Sequence, residues 1–218
     1  MKTKALTLIL LLTILFTKGQ TIESIGIKGG ISLANQTWQI GTSSSATKYD
    51  YKAGLYCVLN AELFKGKYLS LSSDLGFVQK GMQQELEITT VEFPEGTGEY
   101  TTVKTTVNYI TFSPMLKGFY TINNLTTYAL IGPRLDYQVE YNNGYANSGN
   151  PDLKKDVWGM TYGLGAEYKI KRIGILVEFL GQPDFTKLKN QDPSGTSVGL
   201  EIKGNAYVIT SGLRYFLH

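Results

Sequence analysis

Between Tyr128 and Glu140 the chain reads YALIGPRLDYQVE. Arg134, Asp136, Gln138 and Glu140 fall on every second position, and Ile131, Leu135, Tyr137 and Val139 fill the gaps. A period of two is the signature of a strand with one apolar and one polar face. The pattern recurs and predicts eight strands, at roughly 24–34, 50–64, 67–82, 105–120, 126–141, 157–170, 173–181 and 205–217. Helix-type periodicity is scarce, and Gly, Asn, Asp and Pro separate the alternating segments.

The connections alternate in length. Tight turns are predicted at Lys65-Gly66-Lys67, Ile122-Asn123-Asn124 and Lys171-Arg172, and long connections at 35–49, 83–104, 142–156 and 182–204. Short turns on one side and long loops on the other are what bacterial outer-membrane barrels show. Strands of about 9–11 residues suffice to cross the membrane. The expected fold is all-β: an eight-stranded antiparallel up-and-down transmembrane β-barrel, with both termini on the periplasmic side.

Alternation alone does not say which face is wet. A soluble carrier barrel is apolar inside, and a membrane barrel inverts this. The segment DVWGMTYGLGAEYKI (156–170) breaks the tie. Trp158, Met160, Tyr162, Leu164, Ala166 and Tyr168 share one face, while Gly159, Thr161, Gly163, Gly165 and Glu167 share the other. A surface in bulk water tolerates long Lys and Glu side chains and gains nothing from glycines, which weaken a strand. A crowded lumen requires them, so the large face points to lipid. The inward charges are then Lys28, Asp74, Lys117, Arg134, Asp136, Glu140, Glu167, Glu178 and Arg214. Four basic groups against five acidic ones point to pairing, because an unpaired buried charge costs several kcal/mol. An eight-stranded barrel is just wide enough for its own side chains to fill, which predicts a plugged polar lumen. Tyr49, Tyr51, Tyr120, Tyr128, Tyr141, Trp158, Tyr168 and Tyr215 lie near strand ends and are expected in the interfacial girdles.

The start, MKTKALTLILLLTILFTKGQ, has a basic opening, a short apolar core and small residues before Gln20. Residues 1–19 are expected to be a secretory signal peptide and 20–218 the barrel domain. Beyond that segment there is no apolar run long enough for a spanning helix. The 21 basic and 18 acidic residues become 18 against 18 once Lys2, Lys4 and Lys18 are removed. A neutral chain gives no electrostatic case for nucleic acid.

Six stretches bear a family resemblance: GIKGGISLAN (26–35), LSLSSDLGFVQKGM (69–82), ITFSPMLKGFY (110–120), YALIGPRLDYQ (128–138), WGMTYGLGAEYK (158–169) and NAYVITSGLRYFL (205–217). In order and spacing the chain resembles the small outer-membrane β-barrel family of Bacteroidota that includes the PorT-like proteins. The resemblance implies a signal-bearing, eight-stranded outer-membrane barrel of a Gram-negative envelope, with no agreed catalytic residues. Members usually end on an aromatic residue read by the barrel-insertion machinery. Here the end is Tyr215-Phe216-Leu217-His218, and alternation gives Leu217 the outward terminal place.

Little in the chain supports catalysis. His218 is the only histidine and Cys57 the only cysteine, so neither a Ser-His-acid site nor a metal site has its ligands. No cofactor and no enzymatic activity are expected. The best interaction candidate is the segment 83–107, read as a hairpin continuing beyond the membrane, with Glu85, Glu87, Glu92, Phe93, Glu95, Glu99 and Tyr100 offered to an extracellular or envelope protein. The first functional expectation is a structural or interaction module surrounded by outer-membrane lipid. The alternatives are a narrow ion or small-solute channel and a lipocalin-like periplasmic carrier of a hydrophobic ligand.

Overall fold

A strand buried on one face needs partners on both edges, and a closed ring supplies them to every strand. The computed structural model describes residues 22–40, 46–89, 97–142, 144, 154–186, 188–191 and 200–217. The segment expected to be a signal peptide lies outside the described residues. Among the described residues there are ten strands: β1 (Ile22–Ile40), β2 (Ala46–Lys48), β3 (Lys52–Leu63), β4 (Leu69–Glu87), β5 (Tyr100–Ile122), β6 (Leu125–Asn142), β7 (Asp156–Ile170), β8 (Ile173–Pro183), β9 (Lys189–Gln191) and β10 (Leu200–Phe216). Eight long strands pair with their chain neighbours, and β1 pairs with β10 from Ser24↔Phe216 to Ile40↔Leu200, closing the ring. All these pairings are antiparallel.

Two segments expected to be loop are strand instead. β2 extends the edge of β1 and β9 that of β10, both inside predicted long connections. The ladder between β4 and β5 runs on to Glu87↔Tyr100, within the segment read as a continuing hairpin, because Thr, Val and Glu keep alternating there. The tight turns fall where expected. Asn123 and Lys171 carry positive φ (53° and 55°), as two-residue hairpin turns require.

The wall has the expected polarity. Outward side chains such as Leu59, Leu75, Leu164, Phe179 and Leu213 are more than half exposed, whereas Lys28, Arg134 and Asp136 are fully covered. This is the inverse of a soluble carrier, so the lipocalin-like reading is overturned. The β5–β6 ladder lapses between Phe112↔Leu135 and Leu116↔Ile131. Pro114 and Pro133 stand opposite each other in that gap, and neither has an N–H to donate.

Candidate functional site

The lumen is built in layers, each fed by alternate strands, a consequence of strand stagger in a closed barrel. Nearest the tight turns, β3, β5, β7 and β10 contribute. Glu62 binds Lys117 at 3.0 Å and Arg214 at 2.5 Å, and Arg214 also reaches Glu167 at 2.6 Å. Ser70 donates to Glu62 at 2.8 Å, and Arg214 donates to Asn60 Oδ1 at 2.8 Å. The next layer belongs to β1, β4, β6 and β8. Lys28 lies 2.6 Å from Asp74 and 2.9 Å from Glu178, so one ammonium ties strands on opposite sides of the ring. The Tyr128 hydroxyl donates to Glu178 at 2.8 Å, and Asn60 Nδ2 donates to Asp74 at 2.6 Å, joining this layer to the first.

The third layer sits towards the long loops. Arg134 Nε donates to Asp136 at 2.9 Å, its Nη1 donates to the Met160 carbonyl at 2.9 Å, and its Nη2 binds Asp184. Lys80 completes the square at 2.7 Å from Asp136 and 3.0 Å from Asp184. Above it, buried apolar side chains take over, including Val107, Val157, Leu188 and Ile202, with Trp38 and Tyr141 packed against them.

Glycines make this crowding possible. A Cβ on Gly165 would lie 2.5 Å from the Tyr128 ring, and one on Gly159 would lie 2.6 Å from Arg134 Nη2. The small face of β7 is thus the space into which its neighbour's largest inward side chains project.

Of the nine inward charges expected, eight are buried in these layers. Glu140 is not. The register of β5 against β6 steps so that Tyr109 pairs with Gln138 and Asn108 with Glu140. This bulge leaves Val139 and Glu140 both exposed and turns Tyr141 towards the core. Glu140 accepts a hydrogen bond from Asn108 at 2.7 Å outside the charged layers. Tyr128 and Tyr141 are likewise corrections to the girdle: the first is buried in the lumen and the second packs on the core cluster. Trp158, Tyr120, Tyr168 and Tyr215 do face outwards.

Sequence reasoning missed Glu62, Lys80 and Asp184, all buried ion-pair partners. The signal was present. Glu62 shares the parity of Tyr56, Val58 and Asn60, Lys80 that of Asp74, and Asp184 that of Glu178. Among the hairpin residues, Glu85, Glu87, Glu99 and Tyr100 are exposed at the far end of the β4–β5 ladder, where Glu87 accepts from the Gly98 N–H at 3.1 Å. Glu92, Phe93 and Glu95 lie outside the described residues. Among the described residues no cluster of His, Cys, Asp and Glu has the makings of a metal site.

With the barrel and its lumen in view, one comparison decides the family. The profile of the outer membrane protein beta-barrel domain matches residues 20–186. The chain belongs to that family. Membership places the barrel in the outer membrane, with the outward apolar wall against lipid. Among solved structures, the outer membrane protein OprG from Pseudomonas aeruginosa is similar with a TM-score of 0.51 at 11% identity, over 92% of this chain and 98% of that one. The outer membrane protein AlkL, solved by solid-state NMR in DMPC bilayers, gives 0.53 at 11% identity, over 90% of each chain. At such identity the likeness is one of fold. A search of curated proteins returns no match in sequence.

Proposed function

We propose that this outer membrane protein beta-barrel serves as a structural and interaction module of the cell envelope, with its lumen held shut by the charged layers. The supporting observation is that Lys28, Arg134 and Arg214 each bind two carboxylates, tying alternate strands together across the ring. An ion crossing the lumen must break such contacts, each backed by hydrogen bonds in a low-dielectric interior. The long loops face outwards from the cell and both termini face the periplasm, as the alternation of short and long connections supports. The exposed β4–β5 hairpin offers its edge to an extracellular or envelope protein, and the outward Tyr215 and Leu217 offer the barrel-insertion machinery its signal. The resemblance of the six sequence stretches supports a PorT-like relationship among Bacteroidota barrels as part of this reading. Catalysis is not part of the proposal, because every carboxylate in the layers lies within 3.0 Å of a Lys or Arg nitrogen.

A narrow channel is the second reading. It is favoured by buried inward polar atoms that lack a protein partner, among them Ser32 Oγ, Thr105 Oγ1 and Gln182 Oε1. Planar lipid bilayers separate the two. The closed barrel gives no steady current when inserted. An ohmic conductance in the wild type that changes on Lys117→Gln or Glu178→Gln establishes the channel instead.

A further inference from the structure

The two ends of the barrel differ in charge. At the long-loop end the signs are mixed, with Lys104, Lys154 and Lys155 set against Glu85, Glu87 and Glu99. At the tight-turn end Lys65, Lys67, Lys169, Lys171 and Arg172 gather. Among the described residues only Lys65 of these has a carboxylate partner, Glu23, at a loose 3.6 Å.

The same end contains a cavity of about 260 Å³. Lys65, Lys117, Lys169, Phe119, Phe216 and Asn123 are among its lining residues. The Lys65 ammonium stands 5.7 Å from the Phe119 ring centre and 5.3 Å from that of Phe216, and the Lys169 ammonium stands 3.9 Å from Phe216. Cation–π attraction holds two cations at a mouth without neutralising them. Deeper in, Lys117 is committed to Glu62, and Glu167 to Arg214. The charge left over is positive.

Position narrows the ligand. Lys117, Phe119 and Thr121 of β5, Glu167 and Lys169 of β7 and Phe216 of β10 have the inward parity of their strands. The cavity therefore lies within the ring of the wall, whereas phospholipid headgroups surround the ring from outside. Its occupant arrives from the aqueous side. The ammonium of Lys169, which has no carboxylate partner among the described residues, and that of Lys65, held only at 3.6 Å by Glu23, stand over aromatic rings beside Asn123 and suit a carboxylate carried on a peptide.

We propose that the tight-turn mouth is a docking site for an acidic peptide segment of an envelope protein, whose carboxylates pair with Lys65 and Lys169 while the basic turns steer its approach. The site rests on the fold. Only its naming as periplasmic rests on the orientation proposed above.

The test uses the full barrel in neutral phosphatidylcholine nanodiscs, with fluorescence anisotropy of a fluorescein-labelled hexaglutamate peptide as the probe. Heat-shifted gel mobility confirms that each variant is folded. The wild type binds, more weakly as salt rises. Lys65→Gln with Lys169→Gln weakens binding by about tenfold or more, and Lys65→Arg with Lys169→Arg retains it. Lys154→Gln with Lys155→Gln at the opposite end leaves it unchanged. The proposal is overturned if the wild type ignores the peptide, or if both Gln pairs weaken it equally. A conducting barrel would sink the closed-lumen reading and leave this site standing; a barrel deaf to the peptide would do the reverse.

Discussion

Replacing Arg134 with Met destabilises the folded barrel by about 3–5 kcal/mol, the usual cost of removing one partner from a buried ion-pair group. Arg134 is completely covered and serves two carboxylates and a backbone carbonyl. Without it, Asp136 and Asp184 share the single ammonium of Lys80. The cost is left-over charge more than lost attraction, so adding Asp184→Asn to Arg134→Met restores part of the stability. Glu140→Gln, at an exposed position past the bulge, stays within about 0.5 kcal/mol of wild type. Urea unfolding of the refolded barrel in lipid vesicles, followed by tryptophan fluorescence, measures all four proteins. A cost below about 1 kcal/mol for Arg134→Met means that the layer is solvated and does not hold the barrel together.

The second large effect belongs to the other face. Leu164 is 66% exposed and lies on β7 between the outward Trp158 and Tyr168, beside Ala129 and Phe179 of the flanking strands. Such a position is near the bilayer midplane, and Leu164→Arg costs about 2–4 kcal/mol there. Tyr68→Arg, in a tight turn at the barrel rim, costs about 0–1 kcal/mol by the same depth rule. The same unfolding experiment reads both. Equal and small costs would mean that no hydrocarbon covers Leu164.

These two faces were legible in the chain because period-two alternation carries orientation as well as strand identity. Lys28, Asp74, Lys117, Arg134, Asp136, Glu167, Glu178 and Arg214 all follow from parity once the glycines of 156–170 assign the lumen. Glu62, Lys80 and Asp184 obey the same parity. Glu62 and Lys80 lie inside their expected strands, and only Asp184 lies past an expected strand end. Glu140 failed for a different reason. A bulge is a response to how two strands meet within a closed wall, and β6 alone holds no mark of it. Tyr128 shows the limit of local reading in another way. Its parity says inward and its place near a strand end says girdle, and the vacancy at Gly165 on the neighbouring strand decides. Which cation meets which anion was not legible at all. That depends on the stagger of the ring, which brings β1, β4, β6 and β8 into one layer and β3, β5, β7 and β10 into another.

The chain carries its own probe for the claim beneath all of this. Cys57 is the only cysteine, exposed on β3 between the outward Leu55 and Leu59. A nitroxide attached there, with the barrel in lipid vesicles, is relaxed strongly by molecular oxygen dissolved in the acyl chains and hardly at all by a water-soluble nickel chelate. A label relaxed by the chelate and shielded from oxygen contradicts a wall whose greasy side meets lipid.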